Sequence, residues 1–209
     1  GGDIDLQADH DIRLLAASNS DTQRSTSSSS SASLGASVGF GANGAGVSVV
    51  ATGNASRGST DGQDTTWTNT RVEAGGRVGM ASGGDTTLRG AVVRGEQVQA
   101  DAAGRLDIES LQDASDYNSR QHSVGGSLSV GGQVGGNVSG GRTRVDSTYA
   151  SVGEQSGIRA GDGGFQVRVQ GEAQLVGGAI TSSQRAVNED RNRFTSAQLA
   201  LRDVDNHAS

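Results

Sequence analysis

The chain has 209 residues, no cysteine, no proline and a formal net charge of −6 at pH 7. The lack of cysteine excludes disulfides and thiolate metal sites, and an acidic balance without a basic block argues against nucleic-acid binding by electrostatics. Only 32% of the residues are hydrophobic and 3% are aromatic, so any core must be thin and built from Val, Leu, Ile and Ala.

The first predicted element is a pair of short strands within residues 1–18. The residues Ile4, Leu6 and Ala8 alternate with polar residues, and Ile12 and Leu14 resume the alternation after a short break. A period of two residues is typical of a strand with one buried face.

A first low-complexity insert follows at about residues 19–65, beginning with a serine run. In it, the segments 32–40 and 47–51 alternate apolar residues with Ser or Gly, and Asn43-Gly44 lies between them. Asn-Gly between two alternating runs is a strong hairpin signal. The insert is therefore predicted to form a β-hairpin that protrudes from the rest of the chain or folds back on it.

A regular array occupies residues 66–112, where apolar residues recur every 6–10 positions between glycine-containing dipeptides. Val78 and Val98 are 20 residues apart, and so are Leu88 and Ile108. A unit of about 20 residues with two or three short strands is what one coil of a parallel β-helix requires. We expect glycines at the corners because they adopt the positive φ of a tight turn.

A second insert at about residues 113–147 repeats the hairpin pattern more weakly, with Gly131-Gly132 between two alternating segments. The array then resumes. Residues 184–193 are polar and are predicted to form a loop or a short helix, and further strands are expected around Phe194 and from Leu199 to Val204.

The chain contains an internal repeat whose similar segments lie about 90 residues apart. Gly84–Val92 returns as Gly171–Ile180, the segment 6–9 resembles 98–101, and Leu199-Ala200-Leu201 stands where a third copy would begin. Repetition at fixed spacing is typical of solenoids, whose units bury their apolar faces on their neighbours.

These patterns predict an all-β fold: a right-handed parallel β-helix (β-solenoid) in which residues 1–209 form a single domain with two Ser/Gly-rich, hairpin-like inserts at about 19–65 and 113–147. The residues expected in its core are Leu88, Leu106, Ile108, Phe165, Val167 and Leu175.

No arrangement of residues indicates catalysis, a cofactor or a metal. His10, His122 and His207 have no consistent spacing to carboxylates, and Asp85 and its repeat equivalent Glu172 are expected to cap turns. Residues 161–164 (Gly-Asp-Gly-Gly) are the nearest approach to the glycine-rich repeat of calcium-binding β-rolls, and only a weak one. The chain is therefore predicted not to be an enzyme.

The alternating hairpins allow two interpretations. A strand with one apolar and one small polar side is typical of membrane-spanning strands, which need ~9–11 residues. Alternatively, the apolar side packs against the rod or covers its edge; this is favoured because aromatic residues are sparse apart from Phe40 and Trp67. The candidate membrane- or partner-contact residues are Leu34, Val38, Phe40, Val47, Val49, Leu128, Val130, Val134 and Val138.

The sequence resembles the hemagglutinin repeats of filamentous-hemagglutinin-type exoproteins. The resemblance is carried by the segments 84–91, 147–151, 157–165 and 201–208, and by the alternation of array and Ser/Gly-rich insert. Within that family the chain is most similar to the second repeat block of contact-dependent growth inhibition effectors.

The resemblance implies a β-helical filament that is exported by two-partner secretion and displayed on the bacterial surface. Implied partners are neighbouring repeats of the same exoprotein, an outer-membrane secretion partner, and the outer membrane or a surface receptor of a target cell. It also implies a part in delivering a C-terminal toxin across that membrane, without catalysis by this segment.

Two other functions stay open. The chain could be a segment of a pure adhesin rod that binds host cells, glycans or biofilm matrix. A β-helical polysaccharide lyase is a remoter alternative, since lyases of that architecture use clustered acidic and basic residues on one face and no such cluster recurs here.

Overall fold

A computed structural model describes residues 2–41, 44–131 and 133–209 of the chain, without the side chains of residues 39–41, 44 and 45. Strands hold 77% of the residues and helix 2%, so the fold is all-β. The strands are β1 (Ile4–Ala8), β2 (Ile12–Leu15), β3 (Ala17–Gly41), β4 (Gly44–Thr68), β5 (Thr70–Glu73), β6 (Arg77–Ser82), β7 (Thr86–Arg89), β8 (Ala91–Ala102), β9 (Leu106–Glu109), β10 (Gln112–Val130), β11 (Val134–Val152), β12 (Gly157–Val169), β13 (Glu172–Val176), β14 (Ala179–Thr181), β15 (Arg193–Thr195), β16 (Gln198–Arg202) and β17 (His207–Ala208).

The polar segment after β14 contains a short helix, α1 (Gln184–Asn188). Its N-cap is Ser183, whose hydroxyl accepts a hydrogen bond from the backbone N–H of Ala186 at 3.2 Å. This satisfies one of the free N–H groups at a helix start. The prediction of a loop or short helix in this segment is confirmed.

The chain divides into two compact units. The first consists of residues 1–20, 65–114 and 149–209, and the second of residues 21–64 and 115–148.

The first unit contains two parallel sheets, and the chain alternates between them. One sheet has the order β1-β6-β8-β12-β14, with β5 paired to β8 and β15 paired to β12. The other has the order β2-β7-β9-β13-β16. Successive elements such as β6 and β7, or β8 and β9, therefore contribute one strand to each sheet.

The strand register confirms the 20-residue spacing seen in the sequence. Val78 lies opposite Val98 in the first sheet, and Leu88 lies opposite Ile108 in the second. Ile108 in turn lies opposite Leu175, which gives a column of aliphatic side chains between the sheets. In a thin core with few aromatic residues, such stacked aliphatic side chains exclude water.

The predicted core is confirmed at five of its six positions. Leu88, Leu106, Ile108, Val167 and Leu175 are at most 8% exposed. The sixth residue, Phe165, is partly buried and packs against the same cluster.

The longer repeat is confirmed for Gly84–Val92 and Gly171–Ile180, because Leu88 and Leu175 both lie opposite Ile108, but its first segment is shifted relative to the sequence comparison. The sequence aligns Leu6 with Val98, whereas Leu6 lies opposite Met80, which lies opposite Ala100. Val98 lies instead opposite Val78, which in turn lies opposite Ile4. A shift of two residues keeps every side chain on its original face of the strand, so the hydrophobic pattern alone does not distinguish the two registers.

The expectation of positive φ at glycine corners is confirmed where the repeat places equivalent residues. Gly90 and Gly177 both have φ of 58°, a left-handed conformation that favours glycine. Each follows a strand of the second sheet and turns the chain toward the first.

Carboxylates join strand pairs of the first unit that are neighbours in its parallel sheets. Asp11 accepts a hydrogen bond from the backbone N–H of Asp85 at 3.0 Å, and Asp85 accepts one from the backbone N–H of Arg105 at 2.8 Å. The N–H of Arg105, with support from its guanidinium group, holds the pKa of Asp85 below its usual range. Asp85 therefore bonds a backbone group 20 residues away instead of merely capping its own turn.

The second unit is built on β3, β4, β10 and β11, which lie in that order in one sheet. The hairpin β3–β4 was indicated by sequence, and so was β10–β11. Their pairing with each other, through β4 and β10, was not.

Candidate functional site: an exposed apolar sheet face

The register of the first hairpin is given by hydroxyl pairs between its strands. Ser37 pairs with Ser48 at 2.7 Å, Ser33 with Thr52 at 2.5 Å, and Ser29 with Ser56 at 2.7 Å. As the number rises by four on β3 it falls by four on β4, so the strands are antiparallel. These hydroxyls share one face of the hairpin.

The same register places the apolar residues of this hairpin on the opposite face. Val38 lies opposite Val47, and Val49 lies opposite Ala36. Leu34 is on this face as well, two residues further along β3. Side chains alternate along a strand, so the serines and the aliphatic residues are separated by the sheet itself.

The second hairpin is ordered in the same way. Ser129 donates a hydrogen bond to the carbonyl of Gly135, and Ser139 donates one to the carbonyl of Gly125. In this register Val130 lies opposite Val134, and a Cβ built on Gly136 would lie 3.7 Å from Cδ1 of Leu128. A Cβ built on Gly126 would lie 3.9 Å from Cγ2 of Val138.

The two hairpins join with their apolar sides on the same face. The hydroxyls of Thr60 on β4 and Ser119 on β10 are 3.3 Å apart, and a Cβ built on Gly131 would lie 2.7 Å from Cβ of Ser48. The serine side of β4 therefore continues into the serine and glycine side of β10. The aliphatic residues of all four strands consequently form one surface.

We call this surface the apolar face. It carries every candidate contact residue whose side chain is described, namely Leu34, Val38, Val47, Val49, Leu128, Val130, Val134 and Val138. Their exposure ranges from 43% at Val49 to 83% at Val138. Val124, which the sequence analysis did not single out, lies on the same face and is also exposed. The side chain of Phe40 lies outside the described residues.

The favoured expectation, that the apolar side of the hairpins is covered, does not hold for these eight residues. A sheet normally buries one face because uncovered Val and Leu side chains are costly in water. Large contiguous apolar patches on a soluble surface usually mark a binding site for a protein or a membrane.

The apolar face is bordered by a cluster that we call the arginine belt: Arg57, Arg120, Arg142 and Arg144, with His122 among them. His122 lies opposite Arg57 on β4 and opposite Arg142 on β11. Arg57, His122 and Val124 line one cavity of about 380 Å³. His122 and Val124 are two residues apart on β10 and therefore share one side of the sheet. Beyond the belt, Arg24 donates a hydrogen bond to Asp61 at 2.9 Å.

The belt was not predicted from the sequence because its members lie in three strands far apart in the chain. A local signal was nevertheless present. Residues 25–60 and 117–145 contain no Asp or Glu, although they hold four of the 17 arginines. Only the strand register shows that these arginines meet.

Asp162, the carboxylate of the weak calcium candidate at residues 161–164, is hydrogen-bonded to other side chains of the protein. The carboxylate of Asp162 accepts hydrogen bonds from the hydroxyl of Ser183 at 2.7 Å and from the guanidinium of Arg185 at 3.0 Å. Across the described ranges, no group of three or more His, Asp or Glu side chains is placed to hold a metal ion. Among the residues that the structure describes, no helix is long and apolar enough to cross a membrane.

A family model described as "Hemagglutinin repeat" matches residues 1–125 of the chain. The whole chain is 43% identical over 213 residues to "Toxin CdiA" of Escherichia coli. It is 40% identical over 211 residues to "Deoxyribonuclease CdiA" of Yersinia pseudotuberculosis serotype O:3 (strain YPIII), and 41% identical over 211 residues to "tRNA nuclease CdiA" of Escherichia coli O6:K15:H31 (strain 536 / UPEC).

The chain spans a small part of each of these relatives: 7% of the first, 19% of the second and 6% of the third, while each alignment covers 100% of the chain. No solved structure matches the chain.

Proposed function

Because the chain belongs to the hemagglutinin repeat family, we propose that it is a non-catalytic filament segment of a secreted bacterial surface exoprotein, and that its second unit contacts the lipid of another cell's outer membrane. The observation that carries the proposal is the apolar face, where eight aliphatic side chains that the sequence singled out lie together and exposed.

The first unit supports the filament part of the proposal. Its alternating parallel strands and 20-residue register fit a right-handed parallel β-helix whose coils stack along one axis. The last strand of the second sheet, β16, exposes Leu199 and Leu201, which belong to the buried columns of that sheet. A neighbouring repeat of the same exoprotein would cover these two residues by adding the next coil.

The second unit supports the membrane part. Transfer of a Val or Leu side chain from water to an apolar medium contributes roughly 1.5–3 kcal/mol when the burial is complete. For eight side chains that are about half to four-fifths exposed, the gain is on the order of 10 kcal/mol. A lipid surface accepts such a face without needing a complementary protein shape.

A single second unit is expected to lie in the membrane interface rather than to cross the bilayer. Its strand β3 is at the edge of the sheet, without a partner on its outer side among the described residues. Unpaired N–H and C=O groups cost several kcal/mol each in hydrocarbon. Contact through the apolar face leaves that edge at the polar boundary, where water or headgroups can bond it.

Similarity to proteins named as toxins and nucleases supports a role in contact-dependent growth inhibition. In this context the chain would bind the outer membrane of the target cell while a toxin domain elsewhere in the exoprotein crosses that membrane. Export would depend on an outer-membrane secretion partner. The alternative is a pure adhesin rod, in which protein or glycan receptors replace lipid.

Flotation of the 209-residue chain with phosphatidylcholine vesicles tests the proposal. The variant is the combined substitution Val38→Ser, Val47→Ser, Val130→Ser and Val134→Ser on the apolar face. The control, Val50→Ser with Val145→Ser, changes valines on the opposite face. We expect the native chain and the control to float, and the apolar-face variant to stay at the bottom of the gradient.

The proposal fails if the native chain does not float, or if the apolar-face variant floats as well as the control. Binding to cells that survives the apolar-face substitutions would favour the adhesin.

A further inference from the structure

The charge of the second unit is divided along its sheet. Residues 25–60 and 117–145 carry the four arginines of the belt and no Asp or Glu, a local charge of +4 in a chain whose net charge is −6. The five acidic residues of the unit all lie outside these segments, at Asp21, Asp61, Asp64, Asp116 and Asp146. The four arginines of the belt thus lie in the part of the sheet that also holds the apolar face, whereas Arg24, the fifth arginine of the unit, lies outside these segments and pairs with Asp61.

The belt brings like charges together without neutralising them. Arg120 lies opposite Arg144, and Arg142 is separated from Arg57 only by His122. Arg144 forms an ion pair with Asp146 at 2.5 Å, whereas Arg57, Arg120 and Arg142 have no ion pair or side-chain hydrogen bond in the described part of the chain. Like charges on facing positions of a sheet are destabilising, so the cluster does not serve the fold.

The position of the belt indicates what would neutralise it. His122 and Val124 are two residues apart on β10 and share a face, which puts the belt about 7 Å from the nearest valine of the apolar face. A phospholipid carries its phosphate directly beside its acyl chains. Free phosphate or a soluble polyanion would match the belt but would leave the valines in water.

We propose that the arginine belt binds the phosphate groups of anionic lipids at the edge of the membrane that the apolar face contacts, an inference that rests on the proposed function. Guanidinium groups suit this ligand because each presents several N–H donors in a planar fork that engages phosphate oxygens in pairs. The belt then gives the second unit a preference for membranes rich in exposed phosphate, which the apolar face by itself cannot provide.

The test compares vesicles of phosphatidylcholine with vesicles in which about a third of the lipid is phosphatidylglycerol. The variant is Arg57→Gln with Arg120→Gln and Arg142→Gln. The control is Arg94→Gln with Arg193→Gln and Arg202→Gln, which changes the net charge equally. These three arginines of the first unit are exposed and have no ion pair with any residue that the structure describes.

Each arginine near an anionic surface strengthens binding about fivefold, so the belt variant should bind the charged vesicles about 100-fold more weakly than the native chain. The control should bind like the native chain. The difference should shrink as salt is raised from about 50 to about 300 mM, because the Debye length falls. On neutral vesicles the native chain and the belt variant should bind alike.

The inference is wrong if the belt variant binds charged vesicles like the native chain, or if the control loses as much affinity as the belt variant. Neutral-vesicle binding that needs the apolar face but gains nothing from phosphatidylglycerol would refute the belt and leave the proposed function standing. Failure to bind either vesicle would refute both. Belt-dependent binding to heparin without binding to charged vesicles would identify a soluble polyanion and overturn the lipid assignment.

Discussion

The hydroxyl groups of Ser37 on β3 and Ser48 on β4 are 2.7 Å apart across the first hairpin. Side chains alternate along both strands, so this contact places Val38 opposite Val47 on the other side of the sheet. The register that the serine pairs define therefore also determines which residues form the apolar face.

Engineered disulfides test that register in a chain that has no cysteine of its own. Facing residues of antiparallel strands have Cβ atoms about 4.5–5.5 Å apart, close to disulfide geometry. We expect Val38→Cys with Val47→Cys to cross-link under mild oxidation, and Val49→Cys with Val130→Cys to link the two hairpins. The measurement is the gel mobility of the oxidised chain under non-reducing conditions.

The control for the cross-links is Val38→Cys with Ser48→Cys, whose side chains point to opposite faces. Cross-linking of this pair as fast as the others, or no link between Val49 and Val130, would contradict a continuous apolar face.

Replacement of Ile108 by Asp should strongly destabilise the first unit. Ile108 lies between Leu88 and Leu175 in the aliphatic column and is 1% exposed, so an unpaired carboxylate there has no water and no partner. We expect a loss of about 4 kcal/mol or more, and hence a fall in melting temperature of about 8 °C or more. Leu201→Asp is the matched control, because Leu201 is in the same column but 66% exposed. Equal melting temperatures for both variants would exclude this core.

Substitution of Gly177 by Ala should lower the stability of the fold because of the backbone conformation at this position. Its φ of 58° is a conformation that residues with a Cβ adopt only with strain, and the added Cβ would lie 2.9 Å from Cγ2 of Val204. We expect a loss of about 1–3 kcal/mol in thermal or urea unfolding. Gly53→Ala, where no atom lies within 4 Å of the added Cβ, should change stability little. An unchanged stability in Gly177→Ala would show that the corner is not left-handed.

The hydrogen bond from Arg105 to Asp85 predicts a pH-dependent contribution to stability. The backbone N–H of Arg105 lowers the pKa of Asp85 in the folded chain, so the contribution is complete above the ordinary Asp pKa of ~3.9 and is lost as the pH falls through the lowered value. Asp85→Asn should therefore melt below the native chain at pH 7, with the difference shrinking below pH ~4.

Asp9→Asn is the control for this prediction, because the exposed side chain of Asp9 has no hydrogen bond or ion pair among the described residues. A difference between native chain and Asp85→Asn that stays constant down to acidic pH would contradict the assigned role of the carboxylate.

Much of the first unit could be predicted from the sequence because its signal is local. The spacing of Val78 and Val98, and of Leu88 and Ile108, indicates directly which residues pair in neighbouring parallel strands. The alignment of Leu6 with Val98 was two residues off, since a pattern of period two is unchanged by that shift.

The second unit was less predictable because its main feature is not local. The alternation around Leu34 and Val47 indicates a hairpin, but no property of one hairpin states which strand of another it pairs with. The pairing of β4 with β10 creates both the continuous apolar face and the arginine belt. The sequence therefore indicated the aliphatic residues that form the apolar face, but not the cations beside them.

Fluorescence quenching by lipid tails tests the central claim most directly. Single cysteines at Ser37, Val38, Val47, Ser48, Ser129 and Val130 would each carry an environment-sensitive fluorophore, with vesicles containing acyl-chain-brominated lipid. We predict that the fluorophore is quenched at Val38, Val47 and Val130 and stays unquenched at their serine neighbours. Equal quenching on both faces, or no quenching at any of the three valines, would contradict membrane contact through the apolar face.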